Sequence, residues 1–127
     1  MTVLPPESPQ EILAHLPLNP KVFMVLLALA EGLAHGYEIK RKAESQSGGS
    51  VSLDAGSLYR TIAKLEKKGF IVESEERPEP EDDDARRRYY LLTGLGAEVL
   101  AAEAGRLRRM VDAVPSADPL SRATGSA

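Results

Sequence analysis

Three features of this 127-residue sequence predict a mainly α fold with a small β-hairpin. Helix start signals stand at Ser8, Asn19, Asp54 and Thr93, and the segments that follow carry apolar residues at helical spacing. Two short strand-forming runs, FIVES and RRRYYLL, flank a loop that contains Pro78 and Pro80. The hairpin follows a capped helix and precedes a last one, which is the element order of a winged helix-turn-helix with a closing C-terminal helix.

Each element has a local reason. Ser8-Pro9-Gln10-Glu11 has the form of a capping box with proline at the first helical position, so a short peripheral helix is expected to begin at Ser8. Asn19-Pro20 repeats the start signal and opens a helix to about Glu31, stopped at Gly32. This helix is apolar on most sides and must be covered by others. His35-Gly36 opens a third segment, HGYEIKRKAESQ, ended by SGGS, and Ser50 to Leu53 is expected to form a short strand. Asp54 then caps a helix over residues 54–68, closed by Lys67 and Lys68 at the negative end of its dipole and by Gly69. After the hairpin, Thr93 caps a last helix to about Val114. Its apolar positions Ala97, Leu100, Ala104, Leu107, Val111 and Val114 alternate spacings of three and four, a heptad seam of the kind that joins two helices.

The chain thus divides into an N-terminal extension (1–18), a winged helix-turn-helix (19–92), a C-terminal dimerisation helix (93–114) and a tail (115–127) without core-forming residues, expected to be disordered. No repeat is visible. There is no cysteine, which excludes disulfides and thiolate chemistry. The longest apolar run, Val22 to Ala30, is about half the roughly 20 residues that span a bilayer, and MTVLPPESP lacks the pattern of a secretory signal. No membrane partner and a cytoplasmic location are expected.

The formal net charge of −3 at first disfavours a nucleic-acid partner. The average conceals a strong asymmetry. Residues 51–70 carry +2 and Arg86, Arg87 and Arg88 add +3, whereas residues 71–85 carry −7. Projected at about 3.6 residues per turn, the helix from Asp54 places Ile62 and Leu65 within about 40° of Leu58, and gathers Ser57, Arg60, Lys64, Lys67 and Lys68 opposite. A cationic stripe alone is an ordinary solvated face. Its position before a hairpin that carries three consecutive arginines is what points to double-stranded DNA. Arginine can pair with guanine edges, lysine more often meets phosphate, and Ser57 and Thr61 can bond to either.

Other chemistry has less support. HExxH, GxSxG and dinucleotide patterns are missing, and SGGS lacks the Gly-Lys-Ser/Thr ending of a phosphate loop, so no enzyme is expected. No cofactor or metal set is legible: His35 has only His15 as a histidine companion, and Asp82-Asp83-Asp84 lacks the alternating spacing of a calcium loop. Tyr59, Tyr89 and Tyr90 are expected to be half-buried packing residues with wet hydroxyls. The alternative function is a protein-protein interaction module whose acidic hairpin meets a basic partner.

The stretches HGYEIKRKAE, LDAGSLYRTIAKLEKKGFI and RRRYYLLTGLGAEVL resemble the PadR-like family of winged-helix transcriptional regulators, over roughly residues 20–112. The resemblance implies a homodimeric, mostly bacterial repressor that binds a promoter operator and releases it in response to a small-molecule effector or stress. It also implies that Tyr37 and Lys40 border the DNA backbone, that Gly56, Ser57, Tyr59, Arg60 and Lys64 sit at the recognition helix, and that Arg86, Arg87 and Arg88 hold the wing. Three features are this chain's own: Arg60 stands where many members have proline, the closing region is one helix, and the wing tip is acidic. Phosphate repels such a tip, which is expected to bend away or to neutralise the arginines when DNA is absent.

Overall fold

The computed structural model describes residues 6–78 and 87–115. Five helices and three strands follow one another as α1 (Pro9–Leu13), α2 (Pro20–Ala28), β1 (Ala34–His35), α3 (Gly36–Gln46), α4 (Ala55–Lys67), β2 (Ile71–Ser74), β3 (Tyr89–Leu92) and α5 (Gly94–Asp112). The fold is mainly helical with a small antiparallel sheet, as the sequence predicts.

The caps form where the sequence places them. Ser8 and Glu11 close the capping box on α1. Asp54 accepts from the Ser57 N–H at 2.7 Å, and Thr93 Oγ1 accepts from Gly96 N–H at 3.0 Å. At the end of α4, Gly69 adopts φ 79°, and the Gly69 and Phe70 N–H groups donate back to Glu66 and Leu65 carbonyls at 3.0 and 2.9 Å. That pair of bonds is the left-handed glycine stop, and it turns the chain directly into β2.

Four expectations are corrected. Ser50 to Leu53 is not a strand; Leu53 is buried as a core residue in the loop leading to α4. The third strand is instead Ala34–His35, paired with Tyr90 and Tyr89 of β3, so that the sheet order is β1-β3-β2. A two-residue strand has no alternation to read, and only its partner defines it. The second hairpin strand begins at Tyr89 rather than in the arginine run. Helix α2 ends at Ala28, and a turn carries the chain to Gly32 at φ 140°.

The core lies where α2 meets α3, α4 and α5. Val25, Leu26, Leu29, Ile39, Ala43, Leu58, Ile62, Leu65, Phe70 and Val99 are sealed there. The leucine-and-isoleucine edge of α4 points inward, as projected. Truncating a fully buried leucine such as Leu65 to alanine costs about 2–5 kcal/mol. The N-terminal segment is docked: α1 packs on α5, with Ile12, Leu16 and Leu18 against the core. Helix α5 joins the sheet closely, because a Cβ on Gly96 would run into the Phe70 carbonyl. Only glycine permits this approach.

Candidate nucleic-acid interface

Helix α4 is held by its inner edge, by its Asp54 cap and by its glycine stop, which leaves Gly56, Tyr59, Arg60 and Lys64 facing solvent. Arg60 folds back along the helix: its Nη1 would lie 3.1 Å from a Cβ on Gly56. The Asp54 carboxyl is held below its usual range chiefly by the Ser57 N–H, with help from Arg60 and Lys21 against the opposing effect of burial. Thr61 is half-buried.

On one flank of α4, the start of α3 and the sheet form an open cleft of about 370 Å³ lined by His35, Gly36, Tyr37, Tyr59, Arg87, Arg88 and Tyr90. His35 caps α3 by accepting from Glu38 N–H at its Nδ1, 3.4 Å away, while its Nε2 faces Glu38 Oε1 at 3.0 Å. His35 also meets Tyr89 edge-on at 5.4 Å. Above this buried base, Tyr37 and Tyr59 are 68% and 60% exposed. Burial, with Glu66 and Glu73 nearby, raises the Tyr90 phenol, and Arg88 beside it opposes the shift. Tyr90 therefore stays neutral. The cleft offers two exposed phenols and two guanidinium groups, a donor set suited to phosphate oxygens.

The sequence-predicted residues are thus partly assembled. Tyr37, Tyr59, Arg87 and Arg88 converge on the cleft, Gly56 and Arg60 lie on the exposed face of α4, Lys64 lines a separate pocket with His15, Asn19 and Lys68, and Lys40 sits on α3 in an ion pair with Glu44 at 3.3 Å. Arg86 and Asp82 to Asp84 lie outside the described residues. Ser57 departs from expectation: it is 8% exposed, with its Oγ accepting from Lys21 Nζ at 3.1 Å. Helical projection gives the direction of a side chain but not what another element lays over it. The tyrosines also differ, since Tyr89 and Tyr90 are buried while Tyr59 stands out.

Sequence reasoning missed Lys21 and Glu103. Lys21 lies in the first turn of α2, the positive end of that helix dipole, where a cation has no local benefit. That was its one signal. Glu103 is 1% exposed, bonded to Arg106, and accepts from the Leu18 N–H at 2.6 Å. A glutamate in the closing helix otherwise reads as solvated charge.

On the α5 seam, Leu100, Ala104 and Leu107 are half-buried against the chain's own core or beside it, and Ala97 is exposed. Val111 and Val114 are 69% and 60% exposed. The inner face of α5 is formed by Gly96, Val99 and Glu103 instead. Among the described residues no helix is long and apolar enough to cross a membrane.

Helices α2, α3 and α4 with the hairpin of β2 and β3 beside them make the architecture of a winged helix-turn-helix. Residues 25–102 match the model of the transcriptional regulator PadR-like family, and the chain belongs to that family. Its members are transcriptional regulators rather than enzymes. The chain is 37% identical over 92 residues to an uncharacterized 37.1 kDa protein in transposon TN4556 of Streptomyces fradiae, covering 72% of this chain and 24% of that protein. It therefore spans about a quarter of that relative's length. Among solved structures, RosR of H. salinarum is 27% identical, with a TM-score of 0.56 over 87% of this chain and 91% of the other. A transcriptional regulator from Clostridium thermocellum shares the fold at 22% identity and a TM-score of 0.60, over 85% and 94% of the two chains. So does a PadR family transcription regulator from Clostridium difficile, at 22% identity and 0.60, over 74% and 93%.

Proposed function

We propose that the chain is a homodimeric repressor that binds a palindromic promoter operator, with α4 of each subunit in a major groove and the hairpin beside it. The observation that carries this reading is the solvent-facing surface of α4 next to the cleft where Tyr37, Tyr59, Arg87 and Arg88 converge. Arg60 reads base edges, and Gly56 lets the helix approach the groove. Lys40, Lys64, Arg87 and Arg88 meet phosphates, with Arg86 beside them in sequence. Tyr37 and Tyr59 donate their hydroxyls to the backbone, and Thr61 and Ser57 support the helix from its margins.

The second copy is recruited through α5. Phe23, Ala104, Leu107 and Val111 line an open, mainly apolar cleft of about 320 Å³ edged by Arg108 and Asp112, and Val114 stands exposed just past the end of the helix. Such a surface is stabilised by a second copy of itself. Release by a small molecule would use the neighbouring cleft of about 340 Å³ between α2 and α5, lined by Phe23, Met24 and Leu107 with Glu103 and Arg106.

The test is selection of bound fragments from the upstream regions of the source genome at moderate salt. An imperfect palindrome with half-sites about 34–36 Å apart supports the reading. Fragments recovered without any shared sequence overturn it.

A further inference from the structure

We propose that Lys21 belongs to the DNA interface and holds a backbone phosphate on the side of α4 opposite the wing. This rests on α4 being the helix in the groove. By helical projection, the outer face of α4 runs from Tyr59 at one edge, across Gly56, Lys67, Arg60 and Lys64, to Ser57 at the other. A helix lying in a major groove has a phosphate backbone along each edge. At the Tyr59 edge, Tyr37, Arg87 and Arg88 supply the donors. At the opposite edge α4 supplies Lys64 and, about two turns nearer its start, Ser57, whose hydroxyl is covered.

Lys21 covers it. The ammonium donates to Ser57 Oγ at 3.1 Å, and its two other donors remain available. Lys21 is exposed and makes no ion pair among the described residues. Its charge is felt at the start of α4, where it helps hold the Asp54 carboxylate ionised. The segment that carries it is also fixed from behind. Asn19 Oδ1 accepts from the Lys21 N–H at 2.8 Å, and the Leu18 N–H is bonded to buried Glu103 of α5. A cation with spare donors therefore stands at a set position beside the reading helix, where the serine itself cannot reach out.

The experiment titrates the full chain and its Lys21→Met and Lys21→Arg variants against the selected operator and a random duplex over a range of salt. Lys21→Met is expected to weaken both duplexes by the same factor, and to flatten the slope of log affinity against log salt by about 0.9 per subunit. Lys21→Arg, which retains the charge, keeps the parental slope. Lys21→Gln, which can still bond to Ser57, serves as a second neutral variant if Met disturbs folding. A neutral variant with the parental slope overturns the role of Lys21 while leaving the regulator reading intact. Failure of that reading is distinct: the parent chain would then bind neither duplex, and the role of Lys21 would fall with it.

Discussion

Arg60 and Arg87 are both exposed cations in the proposed interface, and they are assigned different work. Arg60 lies on the groove-facing surface of α4, whereas Arg87 lies in the cleft at its flank. Arg60→Ala should change which base is preferred at one position of each half-site, at about 1–3 kcal/mol of discrimination. Arg87→Ala should weaken operator and random duplex alike. Binding selections on the two variants check this, and identical shifts would refute the division. Gly96 is a different kind of position. Its missing Cβ lets α5 start against the Phe70 carbonyl, so Gly96→Ala forces a backbone shift costing about 1–3 kcal/mol, read as a lower midpoint of thermal unfolding. An unchanged midpoint would contradict the close approach.

At the scale of elements, α4 was legible from end to end because everything that defines it is local: the Asp54 cap, the inner Leu58, Ile62 and Leu65, and the Gly69 stop. Strand β1 was hidden because Ala34 and His35 become a strand only by pairing with Tyr90 and Tyr89. Helix α5 was half legible. Its start at Thr93 and its seam could be counted, but Glu103 falls between seam positions and is defined by Leu18, 85 residues away. That contact has a pH signature. The Arg106 guanidinium, and then the Leu18 N–H, hold the Glu103 carboxyl below its ordinary range against the opposing effect of burial. The folded state thus takes up a proton less readily than the unfolded chain, so the stabilisation is complete above the unfolded value of about 4.3 and is lost as pH falls through the lower folded value. Glu103→Gln should therefore be less stable than the parent near neutral pH, and the gap should shrink in acid. Thermal unfolding across that range checks it; a gap independent of pH would contradict the ion pair.

At the scale of the whole molecule, a formal charge of −3 is compatible with the proposed polyanion partner because the charges are segregated along the chain. Arg87 and Arg88 line the cleft that Tyr59 of α4 also lines, whereas the strongest acidic run, residues 79–84, lies outside the described residues. In the proposed dimer the seam of α5 doubles this arrangement. Val111→Asp should yield a monomer by sedimentation that retains half-site affinity and loses preference for the palindrome; a variant that stays dimeric would remove Val111 from the contact. If each subunit places about four cations on phosphates, about eight charges are neutralised, and log affinity should fall against log salt with a slope near −7. A salt titration of the parent chain on its selected operator measures that slope directly. A steep negative slope with two chains per duplex is the predicted result, and an affinity indifferent to salt would contradict the proposal that this face of the molecule grips DNA.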